Sequence, residues 1–224
     1  MIVKTEDLTK AYQFGSSVIL ATKKASLEIE EASFVSIVGP SGSGKTTLMN
    51  LIGLVDYPTS GKVYFNGQDT SKLSEAERRR LRLSKIGLVF QTFNLIPSLT
   101  ALENVELPMA LAGLKPTAQR ERATRLLGWV GLSQRLHHRP KELSTGEMQR
   151  VAIARALANN PSIIIADEPT GELDSATGLQ IIDLLYNLCT REGKTVVVAT
   201  HDEKMIRAAD VKYTMRDGTV ESML

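Results

Sequence analysis

The chain has one cysteine and one tryptophan, and aromatic residues fill only 5% of its 224 positions. One cysteine cannot close an internal disulfide, which suits a reducing compartment. Cys189 lies in an apolar-periodic stretch and reads as a small buried hydrophobe. Excess charge of one sign is missing too. The 27 basic and 25 acidic residues leave +2, so no global field selects nucleic acid or an anionic membrane surface. No apolar run approaches the roughly 20 residues that a spanning helix needs. The longest, Leu107 to Leu114, contains Pro108. The first twenty residues alternate and carry charge, unlike a secretory leader. A membrane role would therefore act through a partner. Internal repeats, long heptads and low-complexity tracts are absent as well.

What remains is 42% hydrophobic and 23% charged, enough for one large α/β domain with a buried core. Ile2 to Lys10 alternates as a strand, and Val18 to Ile29 reads as one or two more, giving an N-terminal antiparallel sheet. Phe34 to Val38, Ser162 to Ala166 and Thr195 to Ala199 are continuous apolar strands. Alternating with helical stretches, such strands imply a parallel sheet covered on both faces. A short strand, Lys62 to Phe65, closes on Asn66-Gly67, and a last one runs Val211 to Met215 before Asp217-Gly218. Ser74 and Glu77 form a capping box that opens a basic helix, whose Arg78, Arg79, Arg80 and Arg82 read as a solvated face. Helical stretches near 100–113, 117–131 and 146–159 suggest an inserted helical subdomain, about 91–159. Residues 1–90 and 160–224 then form the α/β core and β-subdomain of a single domain.

Gly39-Pro40-Ser41-Gly42-Ser43-Gly44-Lys45-Thr46 fits G-x-x-x-x-G-K-[ST] between an expected strand and an expected helix. Glycines let the backbone fold close to phosphate with its N–H groups turned inward. The helix that follows adds its positive end. Lys45 supplies a point charge, Thr46 offers a hydroxyl to Mg²⁺, and Thr47 follows as a further contact. ATP with magnesium is the ligand this cradle suits. The motif alone does not separate a transporter motor from a kinase, a GTPase or a repair ATPase.

The strand Ser162 to Ala166 ends in Asp167 and Glu168. At a strand end Asp167 can reach the magnesium shell through water. Strand alternation sends Glu168 to the opposite side, where it can take a proton from an attacking water. His201 follows the strand Thr195 to Ala199 on the carboxyl edge of the sheet, where it can hydrogen-bond a γ-phosphate. His137 and His138 read as solvated loop residues.

Leu143-Ser-Thr-Gly-Glu-Met-Gln-Arg150-Val-Ala-Ile-Ala-Arg155-Ala, followed by Asp167-Glu-Pro-Thr-Gly-Glu-Leu-Asp174, resembles the signature, extended Walker B and D-loop of ABC transporter ATP-binding subunits. The resemblance covers essentially the full length. It implies a P-loop core with a mainly parallel sheet, an N-terminal antiparallel β-subdomain and an inserted α-helical subdomain. It also implies that Gln91 is the Q-loop glutamine near the metal, His201 the switch histidine, and Tyr12 the aromatic that stacks on adenine. Gln91 to Pro108 is similar to the branch with lipoprotein-release, macrolide-export and cell-division motors. In that branch, residues just after Gln91 touch a permease; Phe93, Leu95, Ile96 and Leu99 are the candidate patch here.

The family pairs two copies head to tail, so that each ATP lies between one P-loop and the partner's signature. Ser144, Gly146 and Glu147 would then complete the second copy's site. The usual wording is Leu-Ser-Gly-Gly-Gln; here Thr145 and Glu147 depart from it. Thr145 disfavours positive φ. Glu147 forms a capping box with Ser144 and weakens the local positive potential, which predicts weaker ATP-driven dimerisation than glutamine would give. The expected protein is a cytoplasmic ATPase, held at the inner face of the membrane by integral permease subunits and not bound to nucleic acid. An alternative is a non-transport mechanotransmission ATPase that acts on a membrane partner in cell-wall remodelling or division. A soluble nucleic-acid or ribosome-associated member fits less well, since those typically join two motors or insert long coiled coils.

Overall fold

The computed structural model describes residues 1–223. The chain opens with two long antiparallel strands, β1 (Val3–Phe14) and β2 (Ser17–Ile29). Along β2 the buried Ala25, Leu27 and Ile29 alternate with exposed neighbours. The stretch is one strand rather than two. Asp7 and Lys24 sit in the left-handed region at φ 47° and 48°, and the β1–β2 register shifts past them as bulges. The fully buried β3 (Phe34–Val38) leads into α1 (Lys45–Ile52). β4 (Ser60–Phe65) returns to pair antiparallel with β1. Asn66 and Gly67, at φ 47° and 75°, then turn the chain into β5 (Gln68–Asp69). Both turn residues need positive φ for such a tight hairpin. This two-residue strand is too short for alternation to announce it.

After α2 (Glu75–Lys85) and β6 (Ile86–Val89) come three helices: α3 (Ala101–Leu111), α4 (Pro116–Trp129) and α5 (Thr145–Ala156). They share an apolar cluster that includes Leu102, Val105, Met109, Ala123, Leu127 and Val151. The last third alternates β7 (Ile163–Asp167), α6 (Ser175–Thr190), β8 (Thr195–Ala199), α7 (Glu203–Arg207) and β9 (Val211–Arg216). A final strand, β10 (Thr219–Met223), pairs back on β9 through Asp217-Gly218. The sequence reading ended the fold one strand short of this hairpin.

β1, β2, β4 and β5 make a four-stranded sheet, ordered β2-β1-β4-β5. The second sheet runs β10-β9-β3-β8-β7-β6, parallel from β9 to β6. Its middle strands are apolar throughout because both faces are covered. On one face Leu48, Leu51 and Ile52 of α1 pack with Ile37, Ile165, Val197 and Phe65. On the other, Ile153 of α5 and Ile181, Leu185 and Leu188 of α6 pack on Phe34, Ile164, Val196 and Val198. Cys189 joins this second layer as a buried hydrophobe.

The basic face of α2 is only partly solvated, contrary to the expectation from sequence. Arg78 is 2% exposed; its guanidinium donates to the Asp56 carbonyl and lies 4.0 Å from the Tyr57 ring centroid. Arg82 donates to the Leu54 carbonyl at 2.6 Å. Half of the arginine run therefore ties α2 to the segment after α1, because that segment leaves carbonyls without helical partners. Arg79 and Arg80 remain exposed. Arg78→Ala should lower the unfolding free energy by about 2–3 kcal/mol, from a lost charged hydrogen bond and a cation–π contact. Arg79→Ala should leave it unchanged within error. Urea denaturation of both variants checks this; equal midpoints would refute the assignment.

Candidate active site

The register of three strands builds the site. Ile37 of β3 pairs with Ala199 of β8, and Ala199 pairs with Asp167 of β7. The three chains therefore leave the sheet at one level, on its carboxyl edge. Thr200 N–H extends the ladder to the Ile37 carbonyl at 3.1 Å, and Glu168 N–H reaches the Ala199 carbonyl at 2.8 Å.

From β3 the chain enters Gly39 to Gly44. Side chains at Gly39 and Gly44 would run into the carbonyls of Met215 and Ala21, and Gly44 has φ 100°. Space requires glycine at both positions, and conformation requires it at Gly44 as well. Gly44 caps α1 without a side-chain bond, so the first N–H groups of the helix face the loop opening. Pro40, Ser41, Gly42 and Thr46 are exposed around that opening. Ser43 is buried with its hydroxyl unpartnered. Lys45 is buried and donates to the carbonyls of Gly39, at 2.8 Å, and Pro40, at 3.0 Å. Its ammonium is thus held against the inside of the loop.

Across the edge, the Thr46 hydroxyl faces the Asp167 carboxyl. Burial pushes that carboxyl above its ordinary value, and the neighbouring Glu168 adds to the rise; Thr46 and Lys45 act against it. Its Oδ1 is buried with no partner. An orphaned carboxylate oxygen beside a hydroxyl is a hard-oxygen pair suited to a hard cation. Among the described residues no group of three His, Cys, Asp or Glu side chains is placed to hold a metal ion, so phosphate and water would have to complete such a cation's shell.

Glu168 is placed differently from the alternation argument. β7 ends at Asp167, and Glu168 takes a left-handed φ of 44°. That kink, not the pleat, swings its carboxylate to His201, where Oε2 lies 3.0 Å from Nδ1. The Gly171 N–H closes the turn onto the Glu168 carbonyl at 3.0 Å. A non-glycine residue held at such a φ is typical of sites where geometry serves function.

The remaining expected residues are not brought to this point. The Gln91 amide donates to Glu172 at 3.2 Å and makes no hydrogen bond to Thr46 or Asp167. Tyr12 stands on β1 beside Thr47, with its hydroxyl on Asp56 at 3.0 Å and Lys10 5.0 Å from its ring centroid. Thr145 opens α5, outside the positive-φ set. Ser144 and Glu147 form the expected capping box, and Glu147 also pairs with Arg135 at 2.8 Å. A side chain at Gly146 would strike Thr177 of α6, so this glycine also permits close helix packing. None of the three signature residues hydrogen-bonds to the loop of residues 39–47. Arg135 and Glu172 are the contacts that sequence reasoning missed; their partners lie 12 and 81 positions away, at no motif spacing.

A phosphate cradle between a parallel strand and a helix, facing two acids and a histidine on the same sheet edge, defines a P-loop nucleotide-binding domain. The model of the ABC transporter family matches residues 22–171. An uncharacterized ABC transporter ATP-binding protein of Methanocaldococcus jannaschii, MJ0796, is 50% identical over 98% of this chain and 95% of its own. A macrolide export ATP-binding/permease protein of Marinobacter nauticus is 45% identical over 97% of this chain but 34% of its own. The solved dimeric, post-hydrolysis structure of the MJ0796 cassette bound to ADP and Pi matches with a TM-score of 0.93 and 48% identity, over 100% of this chain and 98% of that one. The chain belongs to the ABC transporter ATP-binding family.

The raised carboxyl of Asp167 gives a prediction. A raised folded value means the native state holds the proton more tightly than the unfolded one. Native stability therefore rises as pH falls from that value toward the ordinary 3.8, and is lowest above it. Asp167→Asn removes the buried charge and should raise the nucleotide-free melting temperature at pH 7, by up to about 4 °C. The gain should shrink on acidification. An unchanged or lowered melting temperature at pH 7 would contradict the burial argument.

Proposed function

We propose that the chain is the ATP-hydrolysing motor of an ABC transporter, working over 1–224 as one domain with a helical arm at about 91–159. The observation that carries the mechanism is the meeting of Lys45, Thr46, Asp167, Glu168 and His201 at one sheet edge. The loop Gly39 to Thr46, with Thr47, cradles the triphosphate. Tyr12, its ring fixed by Asp56 and flanked by Lys10, offers its other face to adenine. Lys45 leaves the loop carbonyls to neutralise charge on the β- and γ-phosphates. Thr46 and Asp167 would hold Mg²⁺, with Gln91 joining when it leaves Glu172; the cation supplies charge neutralisation on the phosphates. Glu168 accepts a proton as water attacks the γ-phosphorus and the bond to ADP breaks. His201, exposed and tied to Glu168, orients the water and the γ-phosphate.

Two copies close head to tail on two ATP, with Ser144, Gly146 and Glu147 of each completing the other's site. ATP that binds only the closed pair stabilises it by about 2.7 kcal/mol at 100 times its dissociation constant, a magnitude suited to a reversible switch. No helix among the described residues is long and apolar enough to cross a membrane. The motor acts on integral permease subunits from the inner face of the membrane, a reading supported by the likeness to an ATP-binding/permease protein. A cavity of about 720 Å³ lies between α2, β6 and the helical arm, with Arg79, Arg80, Leu88, Phe90, Leu111 and Arg155 on its walls. We assign this groove to the permease. Of the four residues expected to dock, Leu95 packs against the helical cluster, Phe93 and Leu99 are half-buried, and Ile96 is exposed.

Glu168→Gln should slow ATP turnover by roughly 10²–10⁴-fold, with ATP affinity by calorimetry within about threefold of the parent. A variant that hydrolyses at the parent rate would remove Glu168 from the mechanism. The groove assignment has its own check: combining Arg79→Glu with Arg80→Glu should abolish co-purification of a tagged permease. Undiminished capture would place the interface elsewhere.

A further inference from the structure

We propose that Arg135 is a positioning residue of the shared site: it neutralises Glu147 and so lets an acidic signature face the partner copy's triphosphate. The inference rests on the head-to-tail reading above. Glu147 occupies the third position of α5, and both of its oxygens are engaged within the chain. Oε2 accepts the Ser144 backbone N–H at 2.9 Å and the Ser144 hydroxyl at 3.1 Å. Oε1 accepts the Arg135 Nε–H at 2.8 Å. The Ser144 backbone, and then Arg135 and the Ser144 hydroxyl, hold this carboxyl below its ordinary range against the opposing effect of burial. The group is therefore an anion, sitting on the end of α5 that the partner's phosphates must approach.

A helix N-terminus favours an incoming anion, but a bare carboxylate within its first turn cancels that field and repels phosphate. Glutamine at this position would raise no such conflict. Here the conflict is met by Arg135, in the segment between α4 and α5. Its NH1 lies 3.2 Å from Nε2 of His138. A guanidinium only donates, so that histidine nitrogen carries the lone pair. Arg135 is thereby held from two sides, with one donor on Glu147. The resulting Glu147–Arg135 unit is neutral, and the positive helix end is restored. The expectation that Glu147 weakens dimerisation then applies to the carboxylate without its arginine.

The test is a double-mutant cycle in the Glu168→Gln protein, where ATP accumulates the dimer without being consumed. Half-dimerising ATP concentrations are read by analytical ultracentrifugation. Arg135→Ala should raise that concentration about tenfold or more when Glu147 is present. In the Glu147→Gln protein the same change should matter less than about threefold. Arg135→Lys, which keeps the charge, should retain most of the parent behaviour. A merely structural role would instead lower the melting temperature in both backgrounds and shift dimerisation equally in both; equal shifts, or none, overturn the inference. If Glu168→Gln fails to dimerise with ATP at all, the head-to-tail reading falls and takes the inference with it. If the parent of the cycle dimerises and Arg135→Ala is silent, only the inference falls.

Discussion

The parallel register of β3, β8 and β7 is the constraint on which the rest depends. Ile37, Ala199 and Asp167 lie side by side across three strands. Main-chain hydrogen bonds fix that alignment, and a slip by one residue would turn every buried side chain to the other face. Because the strands are buried on both sides, a slip would misfit the side chains against both covering layers. The loop of residues 39–44, Asp167 at the end of β7, Glu168 just past it and His201 are consequently delivered to one edge. Strand register sets the level at which they leave the sheet, and the left-handed turn at Glu168 sets its contact with His201.

Left-handed residues and unpartnered buried oxygens occur where this scaffold stops, as they do elsewhere in the chain. Glu168 is held in a left-handed conformation by its ladder bond to Ala199 and by the Gly171 turn. Phe93 and Asn94 also have positive φ, and Arg155 of α5 donates to both of their carbonyls. The segment after Gln91 is thus tied to the helix that carries the signature. The buried oxygens of Ser43 and Asp167 lack partners beside the cradle. A phosphate and a cation bound there would give both atoms a partner. The same economy appears at α5, where Glu147 is both helix cap and ion-pair partner.

Much of this was legible in the chain. The cradle at residues 39–46, the acids at 167 and 168, and His201 stand next to strong strand or helix signals, so their local geometry is dictated within a few residues. The strands Phe34–Val38 and Thr195–Ala199 appear at the boundaries their apolar runs indicated. β5 and β10 were not visible: the first is two residues long, and the second follows a turn near the chain end without a distinctive pattern.

The sequence by itself determined the ligand chemistry, because phosphate recognition uses backbone and side chains within eight consecutive residues. It also determined the family, through the segments at 143–156 and 167–174. Only the tertiary structure decided how Glu168 reaches His201, that Arg78 is buried rather than solvated, that Gln91 rests on Glu172, and that Glu147 is paired with Arg135. The reason is physical. Each of those contacts joins residues from different elements, and their distance is set by sheet register and helix packing, which no local spacing in the chain records.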